Sequence, residues 1–257
     1  MQFICEENLS DYAFVNIDTL KLPVKAVCVD FHGYTDATTY SESPDKARLL
    51  GEHGIAWVFP YYSVWAWMSE SSQEFNEQVL DAVYRKLRIS DTIPLIITGG
   101  SMGGLTALCY LIYGKRRAAA CAVNCPVTDM AKFFDIVPNA RRAILSAHIL
   151  NKKPIRTIMH MYSPIKLVDK LPMIPYLLVY GEKDERITEN FMPQFLERMK
   201  EKGHNVTYLL QKDMVHCDID GHKDSFDIWC DFIITNGSKW QSVEIRNSRS
   251  KEHEYFI

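Results

Sequence analysis

Six short apolar runs recur along this chain, and polar or helix-like stretches separate them. The runs are rich in Val, Ile, Leu, Ala and aromatic residues, and we predict a strand at each of them: 24–30, 55–59, 94–98, 118–123, 174–180 and 205–210. Strands that are apolar on both faces are typical of a parallel sheet covered on both sides. Their alternation with helical stretches therefore predicts an α/β fold with a mostly parallel central sheet covered by helices on both faces.

Helical periodicity fills most of the intervals between these strands. In the segment 74–87, apolar residues stand four positions apart, as on one face of an amphipathic helix: Phe75, Val79, Val83 and Leu87. Gly203 is a natural C-terminal cap for a helix over 189–202. Further helices are predicted from about Pro44, over 105–113 and over 225–234.

The strand pattern lapses between 128 and 172. Helical periodicity at 133–137 and 143–150 predicts helices there, which form either a small helical cap or an additional cover for the sheet. The polar segment 236–257 is expected to be a loosely held C-terminal tail. Because no internal repeat or low-complexity linker divides the chain, we predict one domain over 1–257.

Composition and charge exclude several classes of partner. The 257 residues are 47% hydrophobic and 24% charged, with a net charge of −3 and a pI near 6.2. This balance provides no strongly basic surface for nucleic acid or for an anionic membrane. The apolar runs are also too short to cross a bilayer. We therefore expect neither nucleic acid nor a membrane as a partner.

Cysteine usage and the first residues bear on location and metals. Residues 1–7 have no basic region and no sustained apolar core, so no signal peptide is predicted. The seven cysteines are odd in number and lie mostly inside apolar runs, which favours reduced thiols and a cytoplasmic protein. Cys121 and Cys125 form a C-x3-C pair without a second pair at metal-ligand spacing, so no metal site is predicted.

The motif with the most chemical content is Gly99-Gly100-Ser101-Met102-Gly103. It follows the predicted strand 94–98 and precedes the predicted helix 105–113, so a serine stands at the apex of a sharp strand-to-helix turn. A G-x-S-x-G sequence in this context predicts a nucleophile elbow. Glycines two residues before and after the serine allow the close approach of strand and helix that the turn requires. Ser101 is thus the candidate nucleophile.

A serine hydroxyl needs a histidine to take its proton and a carboxylate to orient that histidine. In enzymes with a nucleophile elbow, the acid follows the serine in the chain. The loop after the strand 174–180 contains Asp184, which we predict to be the acid, with Glu182 and then Glu185 as alternatives. Functional groups of parallel sheets stand at such carboxyl strand ends.

The histidine is expected after the last strand. His216 lies in the loop that leaves the strand 205–210 and is the predicted base. His222 lies in the same loop and is the alternative, but it stands at the entry to the predicted helix 225–234, where polar residues are common.

The negative charge that develops on the substrate needs two hydrogen-bond donors. The backbone N–H of Met102, directly after the nucleophile, is the first. We predict that the second is the N–H of Tyr34, with that of Gly33 as the alternative, in the His-Gly turn after the strand 24–30. His32 is expected to be structural, with its ring bonded to nearby backbone.

An aromatic cluster follows the strand 55–59 and faces the same sheet edge. Tyr61 and Trp65 are candidates for lining a substrate pocket, and packing of this loop onto the domain is an equally good interpretation.

With these residues in place, the chain resembles the α/β-hydrolase superfamily. The resemblance rests on His32-Gly33, the elbow at Ser101, Asp184 after Gly181, and His216, and it covers roughly residues 24 to 235. Within the superfamily the chain is similar to small esterases and dienelactone-hydrolase-like enzymes related to the prolyl oligopeptidase catalytic domain. Tyr162-Ser163-Pro164-Ile165 and the segment 172–187 are also similar to that group.

The resemblance implies hydrolysis of a small carboxylic ester without a metal or organic cofactor. We expect the protein to be a monomer or homodimer. The alternative is a peptidase or amidase that uses the same three residues. The sequence contains no propeller domain of the kind found in prolyl oligopeptidases, which favours the esterase. A non-catalytic binding protein on this fold is a third interpretation, from a different class.

Overall fold

A seven-stranded sheet forms the centre of the molecule. The computed structural model describes residues 3–252, and it describes side chains there except at Thr188 and 239–252. The strands are β1 Ala13–Val15, β2 Ala26–Phe31, β3 Ile55–Pro60, β4 Leu95–Gly100, β5 Ala118–Asn124, β6 Tyr176–Gly181 and β7 Val206–Gln211. Their order is β1-β3-β2-β4-β5-β6-β7. Strand β1 is antiparallel to β3, and the other neighbouring pairs are parallel.

Nine helices connect and cover the strands in the described part of the chain. They are α1 Asp45–Glu52, α2 Glu70–Lys86, α3 Met102–Tyr113, α4 Met130–Ile136, α5 Pro138–Ala147, α6 Ile155–Met161, α7 Pro164–Leu167, α8 Thr188–Glu201 and α9 Lys223–Glu252. Short 3-10 turns lie at Leu9–Asp11 and Val168–Lys170. This architecture is the predicted α/β-hydrolase fold, and six of its seven strands lie where the sequence predicts them.

Burial follows each strand's place in the sheet. Every residue of β2, β3 and β6 is buried, whereas the edge strand β7 has no fully buried residue. Central strands carry apolar side chains on both faces because helices cover both sides. This is why they read as continuous apolar runs in the sequence.

Strand β1 is the one strand that the pattern of apolar residues does not predict. It has only three residues, and its backbone pairs with β3 from Ala13 opposite Pro60 to Val15 opposite Val58. Its neighbour Asn16 is fully buried and accepts a hydrogen bond from the Trp57 N–H at 2.8 Å. A strand this short is defined by its partner rather than by its own pattern.

The last helix is longer than the sequence predicts. Helix α9 begins at Lys223 and continues to Glu252, so the expected loose tail from 236 is helical as far as 252, and 253–257 lie outside the described residues. Gly237 does not end the helix, because it is where α9 packs closely on the sheet: a Cβ there would lie 2.9 Å from Cβ of Ala26. No helix among residues 3–252 combines the length and apolar character needed to cross a membrane.

Helices α4 to α7 occupy the segment 128–172, and the helices predicted at 133–137 and 143–150 correspond to α4 and α5. This segment contacts the loops that follow β2 and β3. The Tyr34 hydroxyl donates to the Asn139 carbonyl at 3.1 Å, and the Trp67 ring packs 5.4 Å from the Phe133 ring. The four helices therefore pack against loops at the carboxyl edge of the sheet.

Candidate active site

Ser101 lies at the turn between β4 and α3. Its backbone is left-handed, with φ 54° and ψ −117°, a conformation that is rare for a residue with a side chain. The Ser101 N–H donates to the Asn124 carbonyl at 3.0 Å, and the Ser101 carbonyl accepts from the Val127 N–H at 3.1 Å. These bonds to the end of β5 hold the strained turn in place.

Two glycines of the motif are required by contacts across the turn. A Cβ on Gly103 would lie 1.9 Å from the Phe31 carbonyl oxygen, and one on Gly99 would lie 2.5 Å from the Gly103 carbonyl. Helix α3 thus approaches β2 and β4 more closely than any side chain permits. This close approach confirms the predicted strand–turn–helix geometry and places Ser101 at the carboxyl end of the sheet.

Asp184 and His216 meet beside it. Asp184 follows β6 and is only 2% exposed, and its Oδ1 accepts hydrogen bonds from the N–H groups of Arg186 and Ile187, both at 3.1 Å. Its Oδ2 accepts a 2.7 Å hydrogen bond from Nδ1 of His216, in the loop after β7. The carboxylate is held from one side by backbone and presents its other oxygen to the imidazole.

The contact between Asp184 and His216 shifts the pKa of both side chains. Burial opposes the charged form of Asp184, but the hydrogen bond from His216 and its positive charge lower the pKa of the carboxyl below its ordinary value. Burial also opposes the charged imidazole, but the hydrogen bond to Asp184 and the contact with Cys125 outweigh it and raise the pKa of His216.

The alternative acids and base lie elsewhere. Glu182 is exposed and accepts a 3.2 Å bond from the Asp213 N–H, and Glu185 is also exposed. His222 stands at the start of α9, with its Nε2 4.0 Å from Asp218. Among the alternatives left open by the sequence, the structure therefore brings together Asp184 and His216.

The loop after β2 faces the elbow. A Cβ on Gly33 would be 3.8 Å from Cβ of Ser101, an ordinary contact distance. Tyr34 lines the same cavity as Ser101, and its N–H has no acceptor among the described residues. The N–H of Met102 belongs to the first turn of α3, where helical N–H groups have no partner within the helix.

His32 is a structural residue of this loop, as its sequence context predicts. Its two ring nitrogens face the carbonyl oxygens of Gly33 and Tyr62 at 2.9 and 3.0 Å. The ring also stacks on Tyr62 with a centroid distance of 3.9 Å. These contacts hold the loop against β3.

A cavity of about 330 Å³ opens above Ser101. Ser101, Tyr34 and His216 line it, and its other walls come from the ends of β2 and β3, the loop after β7 and helix α9. Four charged residues are part of the lining: Asp30, Asp36, Lys46 and Asp220. Lys46 pairs with Asp30 at 2.7 Å, and both side chains are largely buried.

The aromatic candidates Tyr61 and Trp65 do not line this cavity. The Tyr61 hydroxyl accepts a hydrogen bond from the Tyr40 N–H, and Trp65 is half exposed. Aromatic rings do line the cavity, but they belong to residues that sequence reasoning missed: Tyr40, Phe59 and Trp229. Phe59 ends the predicted strand 55–59 and could have been found by its strand-end position, whereas nothing local marks Tyr40 or Trp229.

Two thiols also lie beside His216, and sequence reasoning did not connect them. Sγ of Cys125, Sγ of Cys217 and a ring nitrogen of His216 lie within 4.8 Å of one another. Hydrogen bonds from Cys217 and His216 outweigh the effect of burial and lower the pKa of Cys125 to about 7. The contact between the two thiols, together with burial, raises the pKa of Cys217. Cys125 directly follows β5 and Cys217 lies in the loop after β7, so only the sheet topology brings them together.

Nε2 of His216 is directed towards this thiol pair. It lies 3.8 Å from Sγ of Cys217, and no hydrogen bond joins it to Oγ of Ser101 within residues 3–252. Sites without substrate often have such open geometry, which tightens when substrate binds.

Solved structures with a similar fold include esterases and peptidases. Esterase B from Lactobacillus rhamnosis aligns with a TM-score of 0.65 at 15% identity, over 91% of this chain and 80% of its own. A puromycin-hydrolyzing peptidase from Mycobacterium tuberculosis aligns at 0.61 and 18% identity, over 76% of this chain and 32% of its own. The acylaminoacyl peptidase from Pyrococcus horikoshii aligns with a TM-score of 0.66 at 16% identity, over 84% of this chain and 37% of its own. This chain thus spans about a third of the length of these peptidases.

At these identities the similarity establishes the fold. No curated protein sequence matches the chain significantly. The model of the prolyl oligopeptidase family matches residues 61–230, about two thirds of the chain, and this region contains Ser101, Asp184 and His216. The chain therefore belongs to the prolyl oligopeptidase family, on an α/β-hydrolase fold.

Proposed function

We propose that this chain is a serine hydrolase that cleaves small carboxylic esters through an acyl-enzyme intermediate. One observation carries the proposal: Ser101 on its strained turn and His216, bonded to Asp184, line a single cavity. A nucleophile, a base and an orienting carboxylate at one cavity are the groups that acyl transfer needs.

In the proposed reaction, Oγ of Ser101 attacks the ester carbonyl and Nε2 of His216 takes its proton. Because Nδ1 donates to Asp184, Nε2 of the neutral ring keeps a lone pair for this step. The N–H groups of Met102 and Tyr34 stabilise the oxyanion. His216 then protonates the departing alcohol, and water releases the acid from Ser101.

The size and charge of the cavity favour a small substrate. About 330 Å³ is at the lower end of the range for small-molecule sites, which favours a short acyl chain. The three carboxylates of the lining outnumber its two basic side chains, Lys46 and His216, and so disfavour substrates that carry a carboxylate. We therefore expect short, uncharged acyl esters to be hydrolysed faster than long-chain or anionic ones.

The first test is Ser101→Ala, assayed with a short p-nitrophenyl ester. Removing the nucleophile is expected to lower kcat on the order of a million-fold while circular dichroism stays unchanged. Ser146→Ala is the matched control, because Ser146 is an exposed serine of α5 and its loss should leave turnover intact. Undiminished turnover by Ser101→Ala would refute the proposal.

Amide hydrolysis is the second candidate, because the family and several fold neighbours are named as peptidases. A panel that compares short p-nitrophenyl esters with aminoacyl and prolyl p-nitroanilides separates the two activities. Higher kcat/KM on the anilides would replace the esterase with a peptidase on the same residues. Failure of a fluorophosphonate to label Ser101 would instead support a non-catalytic binding protein.

A further inference from the structure

Three soft or borderline metal ligands lie together at the edge of the candidate active site. Sγ of Cys125, Sγ of Cys217 and Nε2 of His216 come from two different loops, and they lie within 4.8 Å of one another. The shortest of these separations given by the structure is 3.8 Å, between Nε2 of His216 and Sγ of Cys217. Thiolate and imidazole are the donors that Zn²⁺ prefers.

The spacing is close to that of a zinc site. With Zn–S of about 2.3 Å and Zn–N of about 2.0–2.1 Å, tetrahedral geometry places ligand atoms roughly 3.5–3.8 Å apart. The three atoms therefore need to approach one another by about 1 Å or less.

Asp184 gives His216 the orientation that a zinc ligand has. Metal-bound histidines usually donate their other ring N–H to a carboxylate, which fixes the ring and leaves one nitrogen lone pair for the metal. Here Nδ1 donates to Oδ2 of Asp184 at 2.7 Å, and the free Nε2 is directed to the thiols. The arrangement proposed for proton transfer is therefore also an arrangement for metal binding.

Three protein ligands would leave a fourth position on the ion for water. Three protein ligands with water in the fourth position is a common open zinc geometry. Oδ1 of Asn124 is a buried oxygen without a hydrogen-bond partner among the described residues, and Asn124 lines the same cavity as His216 and Cys217. It would offer an acceptor for a metal-bound water.

We propose that Cys125, Cys217 and His216 form a binding site for Zn²⁺ and that the bound ion inhibits hydrolysis. On binding, each thiol forms an S–Zn bond and releases its proton to solvent, and Nε2 donates its lone pair to the metal. The inhibition, but not the binding, rests on the proposed function: a metal on Nε2 leaves no base for Ser101. No redox change or second reactant is involved.

The test for binding does not depend on activity. The protein, stripped with a chelator and kept in a phosphine reductant, is titrated with Co²⁺ and then with Zn²⁺. We expect one equivalent of Co²⁺ to produce a thiolate-to-cobalt charge-transfer band, which Zn²⁺ then abolishes. The variants Cys125→Ser and Cys217→Ser should lose the band and bind Zn²⁺ more than about 100-fold more weakly, since even an outer-shell change costs 10–100-fold.

Cys5→Ser is the matched control. Cys5 is the other partly exposed cysteine and lies in the N-terminal segment, so this variant should keep the cobalt band and the affinity for Zn²⁺. A titration without the band, or Zn²⁺ affinity unchanged in both Cys125→Ser and Cys217→Ser, would overturn the site.

Inhibition is measured from the turnover of a short p-nitrophenyl ester. The rate of each protein with Zn²⁺ is divided by the rate of the same protein in chelator. Wild type and Cys5→Ser should be inhibited by stoichiometric Zn²⁺ and recover when chelator is added, whereas Cys217→Ser should need more than about 100-fold more zinc. If the wild type forms the cobalt band but keeps full activity with zinc bound, the inhibitory role is refuted and the metal site stands. A protein with the band but with no activity in chelator would refute the proposed function instead.

Discussion

At the scale of single residues, His216 is the group whose protonation decides the proposed reaction. The contacts with Asp184 and Cys125 raise its pKa above the ordinary value of about 6.5. A raised pKa means that the ring stays protonated, and cannot act as a base, until the pH exceeds that value. Activity should therefore be low in acid and rise with pH.

We predict that kcat/KM, measured in the presence of chelator, rises with a midpoint above pH 6.5. An NMR titration of the His216 ring should give the same midpoint in the absence of substrate. Asp184→Asn removes the charge and the acceptor at Oδ2, so the ring should titrate at lower pH in this variant. Glu182→Gln changes an exposed carboxylate of the same loop and should leave the titration in place. A His216 pKa that Asp184→Asn leaves unchanged would contradict the assignment of the pair.

Most of the candidate site follows from sequence at this scale, and the exceptions have a physical reason. Ser101, Asp184 and His216 are each marked by a strand that ends just before them. Cys125 and Cys217 are also at strand ends, but their neighbourhood depends on which strands are adjacent in the sheet. The sequence spacing pairs Cys125 with Cys121 instead, and Cys121 is not a ligand of the proposed zinc site.

At the scale of elements, the packing of α3 on the sheet sets the position of the nucleophile. Gly103 is the point of closest approach, because a Cβ there would lie 1.9 Å from a backbone carbonyl oxygen that cannot move aside. A substitution at this position must separate the helix from β2.

We expect Gly103→Ala to lower the free energy of unfolding by about 3 kcal/mol or more, at the upper end of overpacking effects. For a domain of this size, that corresponds to a fall in Tm of roughly 6–12 °C. Gly33→Ala is the control for stability, because its Cβ would meet nothing closer than 3.8 Å. Calorimetry measures the Tm of both variants. Equal values of Tm for Gly103→Ala and Gly33→Ala would contradict the close contact at Gly103.

The sequence is a good guide to the buried elements and a poor one to the edges. Strands β2 to β7 carry their own apolar pattern, since helices cover them on both sides. Strand β1 is set by its pairing with β3, and helix α9 continues through Gly237 because that glycine packs on Ala26. Both features depend on distant partners, which a local pattern does not contain.

At the scale of the whole molecule, the seven cysteines divide by accessibility. All seven are free thiols: Cys28, Cys109, Cys121, Cys125 and Cys230 are buried, and Cys5 and Cys217 are partly exposed. Burial raises the pKa of Cys28, Cys109 and Cys121, which keeps these three in the unreactive thiol form.

We predict that the native, reduced protein reacts rapidly with a thiol reagent at Cys5 and slowly at the buried Cys28, Cys109, Cys121 and Cys230. All seven should react at once in denaturant. Mass spectrometry of the labelled peptides assigns the sites. Rapid labelling of Cys28, Cys109 or Cys121 in the native state would show that the core opens more readily than its packing implies.

The arrangement of the site along the chain has a consequence for how the protein acquires activity. Tyr34, Ser101, Asp184 and His216 follow four different strands, β2, β4, β6 and β7, which come together only in the finished sheet, where β5 lies between β4 and β6. Contacts between residues so distant in sequence form slowly, because long loops must close before the contacts are made. A ribosome-bound chain that lacks β7 already contains the elbow serine but has no base for it. Under the proposed function, the chain therefore passes through synthesis without a competent nucleophile, and we expect hydrolysis to begin only when the last strand has joined the sheet.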